Sequence, residues 1–151
     1  MRLLAIIAPL AVLANVAQSQ SPNRSYDADS VTAECNSEWG TDFQMVKYCI
    51  DQRAAGHVEY VEIVSRVSSS EELTKAMGNC ENEWGHQWDM VAYCGNQQLQ
   101  GYAQVSQLMN ELPADLANTI VGGCLIDWGV DFSMVSYCAK NQYAAWQSLN
   151  N

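Results

Sequence analysis

Apolar residues recur at spacings of three and four along most of this chain. Phe43, Val46 and Ile50 begin one series, which Ala54, Val58, Val61 and Val64 continue. Trp88, Val91, Leu99, Tyr102, Val105, Leu108 and Met109 form a second, and Phe132, Val135, Ala139, Tyr143, Trp146 and Leu149 a third. A stripe of this period is the buried face of an amphipathic helix. It predicts helices of about 25 residues for the first two series and a shorter one for the third. A short helix is predicted before each long one. Ser70-Glu71-Glu72-Leu73 opens one with a side chain suited to an N-cap, and Pro113 opens another, tolerated in a first turn. Tyr26 to Glu34 is the third, with Val31 as its apolar member.

The pattern repeats because the sequence does. Segments of fifteen residues begin at Cys35, Cys80 and Cys124, 45 and then 44 residues apart, and seven of the fifteen positions are identical in all three. The identical residues of the first copy are Cys35, Trp39, Gly40, Met45, Val46, Tyr48 and Cys49. Self-similarity at this period is the mark of a repeat architecture. The predicted fold is all-α, with three helical-hairpin repeats of about 45 residues spanning roughly 26–69, 70–112 and 113–151. Gly40, Gly85 and Gly129 fall where a turn separates short helix from long. Gly56 and Gly101 share a position inside the first two long helices, and Ala145 holds it in the third. A small residue there points to a close helix crossing, because glycine within a helix costs about 1 kcal/mol unless packing offsets it.

Residues 1–19 read as a signal peptide, with Arg2 before an apolar run from Leu3 to Val16 and small residues at Ala17 and Ser19. The run is shorter than the roughly 20 residues that span a bilayer. Residues 20–151 are then a single exported domain, periplasmic or extracellular, with no stable membrane insertion. The formal net charge is −10, from seven Lys and Arg against seventeen Asp and Glu. Such a surface repels nucleic acid and suits a basic protein or a cationic surface as partner. Asn23-Arg24-Ser25 matches a glycosylation acceptor, meaningful only in a eukaryotic secretory route.

Export sets the reading of the cysteines. An even count in an oxidising compartment implies disulfides, and a unit copied three times most simply carries its own bridge. The predicted pairs are Cys35–Cys49, Cys80–Cys94 and Cys124–Cys138. Each closes a loop of about 15 residues, worth about 3 kcal/mol in the chain-entropy model.

Candidate chemistry is thin. Trp39, Asp42, Met45, Cys49 and Gln52 fall along one side of a continuous helix. Methionine and tryptophan together can hold a soft metal such as Cu(I), but each copy supplies one methionine here. The packing reading makes Trp39, Met45, Val46 and Tyr48 a repeat core, with Trp84, Met90, Val91 and Tyr93 and then Trp128, Met134, Val135 and Tyr137 as its copies. Glu38 with Asp42 and Asp127 with Asp131 form acidic pairs, broken in the middle copy by Gln87 beside Glu83. Paired carboxylates can serve acid–base catalysis, yet acids at a helix start are favoured by the helix dipole anyway. His57 and His86 lack partners at metal-ligand spacing. No nucleophile elbow or phosphate loop is present.

Trp39-x-x-Asp42-Phe43-x-Met45-Val46-x-Tyr48-Cys49 and Trp128-x-x-Asp131-Phe132-x-Met134-Val135-x-Tyr137-Cys138 resemble a pattern in small, uncharacterised exported proteins of proteobacteria. The middle copy departs from it with Gln87 and Trp88. The resemblance implies a bacterial, periplasmic setting and brings no activity. The expectation is therefore a non-enzymatic binding or structural module without a cofactor or metal. The alternative is a carrier of a small apolar ligand or soft metal, in a cavity lined by Trp39, Trp84, Trp88 and Trp128; a hydrolase using the paired carboxylates stands third.

Overall fold

The computed structural model describes residues 25–150, so the expected signal peptide lies outside the described residues. Six helices follow one another, with no strand among the described residues: α1 (Ala28–Trp39), α2 (Phe43–Val67), α3 (Glu71–Trp84), α4 (Trp88–Glu111), α5 (Ala114–Trp128) and α6 (Phe132–Asn150). Short and long helices alternate. Disulfides join Cys35 to Cys49, Cys80 to Cys94 and Cys124 to Cys138, with Cα atoms 5.7–5.8 Å apart. Each ties a short helix to the second turn of the long helix that follows. Bridges of this kind fit an oxidising environment. Among the described residues no helix is long and apolar enough to cross a membrane.

The turn between short and long helix has one cause in all three places. Gly40, Gly85 and Gly129 take φ of 57°, 58° and 57°, a conformation that side chains resist. Each glycine N–H closes the short helix on the carbonyl four residues back, at 2.8, 2.9 and 2.9 Å. The helix therefore stops at the tryptophan, and a new one starts four residues later in each case. This corrects the expectation of one helical side running from Trp39 to Gln52: Trp39 ends α1, and Asp42 caps α2 by accepting from the Met45 N–H at 3.1 Å. Asp131 caps α6 in the same way through the Met134 N–H, at 3.2 Å. Ser70 caps α3 as predicted, whereas Gln87 gives α4 no side-chain cap. The first short helix also runs further than expected, from an Asp27 cap at residue 28 to residue 39.

The buried positions of α2 are Val46, Cys49, Arg53, Gly56, Tyr60, Ile63 and Val67, alternately three and four apart. That spacing keeps one face inward along the whole helix. The long helices lie in an open row, α2 against α4 and α4 against α6, and each short helix packs on its own long partner. The larger core cluster fills the space among α1 to α4 and reaches Phe132 at the start of α6, with Val31, Ile63, Met77, Trp88 and Val91 fully enclosed. A smaller one joins α4, α5 and α6 through Val105, Ile120, Val121, Val135 and Ala139.

The two long-helix junctions are built alike. Gly56 receives the backbone of Trp88 and Asp89 at the start of α4, and Gly101 receives that of Phe132 and Ser133 at the start of α6. A Cβ at either glycine would overlap those backbone atoms. An edge-to-face aromatic pair follows in each: His57 on Trp88 with centroids 4.6 Å apart, and Tyr102 on Phe132 at 5.0 Å. A hydrogen bond then crosses each junction at matching positions, from Asn96 to Glu59 and from Lys140 to Gln104, both 2.6 Å.

Candidate functional site

The residues identical in the three motif copies divide by what the fold asks of them. Six cysteines form the bridges, and three glycines make the left-handed turns. Val46, Val91 and Val135 are buried. Met45, Met90 and Met134 are half-buried. The tyrosines are different. Tyr48, Tyr93 and Tyr137 are 57%, 60% and 64% exposed, so they are surface residues and not the core positions expected of them. Trp39 and Trp128 are also exposed, and Trp84 is half-buried. The reason is the helical period: within each long helix the valine faces inward, and the tyrosine, two residues on, falls on the opposite face.

A surface concavity lies at the first helix pair and the start of α4. It encloses about 200 Å³ and is lined by Glu38, Trp39, Tyr48, Cys49, Gln52, Arg53, Gln87 and Asp89. Arg53 forms its floor. The α2 stripe carries this guanidinium inward at the point where an apolar residue is expected, leaving the residue 6% exposed. Two carboxylates of α1 compensate it, Glu34 at 2.8 Å and Glu38 at 3.3 Å. The other oxygen of Glu34 meets Nδ1 of His86 at 2.9 Å, linking α1 to the turn before α4. The rim therefore combines two aromatic faces, Trp39 and Tyr48, with the acids Glu38 and Asp89 around a neutralised arginine. Aromatic faces beside carboxylates attract a cation by quadrupole and by charge.

A second concavity of about 260 Å³ occupies the corresponding place on the third helix pair, lined by Thr119, Ile120, Gly123, Cys124, Asp127, Cys138 and Gln142. Asp127 and Gln142 hold the positions of Glu38 and Arg53 in the motif register.

The other sequence candidates fall apart in space. Asp42 and Asp131 are helix caps, and Glu38 is paired with Arg53, so neither acidic pair has two open carboxylates. Asp131 also accepts from Ser133 Oγ at 2.8 Å and from Gln98 Nε2 at 3.1 Å. The four tryptophans do not share a cavity: Trp88 is fully enclosed in the core, and of the four Trp39 alone lines the concavity beside Arg53. His57 is an aromatic spacer between Tyr26 and Trp88. Among the described residues no group of three or more His, Cys, Asp or Glu side chains is placed to hold a metal ion.

Sequence reasoning passed over Arg53 and Glu34, and the run Asn96-Gln97-Gln98-Leu99-Gln100 reads as a solvated helix face although Gln98 is buried. The signal was available, since Arg53 and Gln98 sit at the same register in the buried stripes of α2 and α4. Gln98 spans the second junction: its Oε1 accepts from the Phe132 N–H at 2.7 Å while its amide donates to Asp131.

One buried acid–phenol contact also stands out. Tyr60 is 2% exposed and donates to the Met77 carbonyl at 3.1 Å. Burial, then the charge and hydrogen bonding of the neighbouring Glu81, push its hydroxyl pKa far above that of a free phenol.

Set against family models, curated proteins and solved structures, the chain matches none of them.

Proposed function

We propose that the three helix pairs are repeats of one stacked unit, and that the protein is an exported, non-enzymatic binding module whose contact surface is the repeated Trp and Tyr set beside the disulfides. The observation that carries this reading is the exposure of Tyr48, Tyr93 and Tyr137. The identical cysteines, glycines, valines and methionines serve as bridge, turn or packing residues, whereas the tyrosines stand exposed with Trp39 and Trp128. Apolar surface presented repeatedly along a stack is what such folds offer to partners. The net charge of −10 and the acids around Trp39 and Tyr48 select a basic partner, whose arginines and lysines stack on the rings and pair with the carboxylates. Export fits the leader-like residues 1–19 and the three bridges.

The test is a titration of the folded, oxidised protein with an arginine-rich peptide and with a glutamate-rich peptide of equal length, followed by amide and indole NMR shifts. Expected are saturable shifts at Trp39 and Tyr48, seen with the basic peptide alone. Expected also is a loss of affinity of about tenfold or more when Tyr48, Tyr93 and Tyr137 are changed together to Ala. Shifts spread evenly over the acidic surface, or affinity indifferent to the three tyrosines, would overturn the reading.

A further inference from the structure

The two junctions define what one long helix must offer the next, and the same register positions can be followed to the ends of the row. On the upstream side of a junction stand Gly56 or Gly101, each followed by an aromatic residue, His57 or Tyr102. On the downstream side stand Trp88 or Phe132, buried, and four residues later a small buried residue, Ala92 or Ser136. Carried one step outward, the downstream positions fall on α2 as Phe43 and Lys47, and the upstream positions fall on α6 as Ala145 and Trp146.

All four of these end residues are exposed. Phe43 is 76% exposed where Trp88 and Phe132 are buried, and Trp146 is 41% exposed. Leu149, at the register of Tyr60 and Val105, is 84% exposed. The two faces thus carry the aromatic halves of a junction, Phe43 at one end and Trp146 at the other. Each also departs from the junction pattern at its tightest point. Ala145 has a Cβ where Gly56 and Gly101 leave none, and at both glycines a Cβ would overlap the incoming backbone. Lys47 places a long charged side chain, ion-paired to Asp51, where the junctions have Ala92 and Ser136. Docking would bury that charge or expel it.

We propose that the two end faces are halves of the junction that joins the units, and that Lys47 and Ala145 each close one of them to head-to-tail addition of a second copy. The proposal rests on the reading of the helix pairs as repeats. A heterologous contact of this kind would not close on itself, so without a block it leads to chains of molecules. Two apolar ends can then stay exposed in a protein that remains a monomer.

The experiment compares the oxidised wild-type protein with the variant Lys47→Ala/Ala145→Gly by sedimentation equilibrium over rising micromolar concentration. Both positions are exposed, so helix content by circular dichroism should be retained. The wild type is expected to stay at one chain mass. The variant is expected to rise to two or more, and to return to one when Phe43→Ala is added. A variant that stays monomeric, or a wild type that already assembles and is dispersed by Phe43→Ala, would overturn the proposal. Gly56→Ala and Gly101→Ala test the underlying reading separately, since each should lower the melting temperature. If they do so while the end variant stays monomeric, the block alone is wrong; if they leave the melting temperature unchanged, the junction reading fails first.

Discussion

The two long-helix junctions use one plan with different materials. Both have the glycine under the incoming backbone, the edge-to-face ring pair and the crossing hydrogen bond. The first then fills its centre with large groups, Tyr60 against Trp88 with ring centroids 5.9 Å apart, above an arginine held by two acids. The second has Val105 and Phe132 there, with Gln98 capping α6 from across the junction. The geometry of a junction is thus set by the small residue and the backbone contact. The residues around them are free to trade apolar area against specific hydrogen bonds, and the two junctions sit at opposite ends of that trade.

Trp88 is the place to test this hardest. It is fully enclosed, and truncation to Ala should destabilise the protein by about 3–5 kcal/mol. Phe132→Ala should cost less, about 3 kcal/mol, because a phenyl ring removes less buried apolar area than the indole of Trp88 in the same cluster. Chemical denaturation of the oxidised protein measures both. Equal losses, or a larger one at Phe132, would mean that the second junction is not the lighter of the two.

The polar halves should rank the other way. Gln98→Leu removes the shorter of the two bonds of the buried Phe132 N–H, leaving it the Val130 carbonyl, and one of three donors to Asp131, and should cost about 1–2 kcal/mol. Arg53→Met keeps the apolar stem and releases Glu34 and Glu38, whose side chains are about half exposed and can be hydrated. Its cost should stay within about 1 kcal/mol, since replacing a buried ion pair by apolar volume is often close to neutral. A loss at Arg53 exceeding that at Gln98 would reverse the comparison.

These two residues also mark where the sequence stopped being informative. The disulfides could be read because a copied segment constrains its own pairing, and the helices because apolar residues recur at their period. The inward face of α2 is nonetheless turned from the expected one, leaving Phe43, Val58 and Val61 exposed. The glycine crossing could be read because the same small residue recurs at one register. The outward direction of Tyr48 was missed because residue type was weighed above register, although Tyr48 lies two residues past the buried Val46 and so on the opposite face. Arg53 escaped for a related reason. A single charge inside an apolar stripe reads as a break in the face until the partner carboxylates, 15 and 19 residues away on another helix, are seen beside it.

Gln87 is where the middle motif copy departs from the other two, and it leaves α4 without a side-chain cap. Asp42 and Asp131 show what the position does when it is acidic. Gln87→Asp should therefore stabilise the protein by about 0.5–1 kcal/mol through a hydrogen bond to the first turn, helped by the nearby Arg53. The melting temperature at neutral pH is the readout. No gain would show that the arginine floor of the first junction already serves the start of α4, and that the two junctions differ in their caps as well as their cores.

One further effect should become visible in alkali, and it belongs to the first junction alone. Tyr60 is buried against Glu81, and its hydroxyl pKa is raised above the ordinary value of 10.0. A phenol whose folded pKa lies above its unfolded one keeps its full contribution to stability below pH 10. Above that pH the unfolded chain loses the proton first, so the contribution is lost as pH rises. The second junction has Val105 in this position and nothing to ionise. The melting temperature should therefore fall between about pH 10 and 11 more steeply in the wild type than in Tyr60→Phe. At pH 7 the variant should lose about 1 kcal/mol with the hydrogen bond to the Met77 carbonyl. Parallel alkaline slopes would mean that the hydroxyl reaches water on ionising, and that the heavier junction is the more open one at its centre.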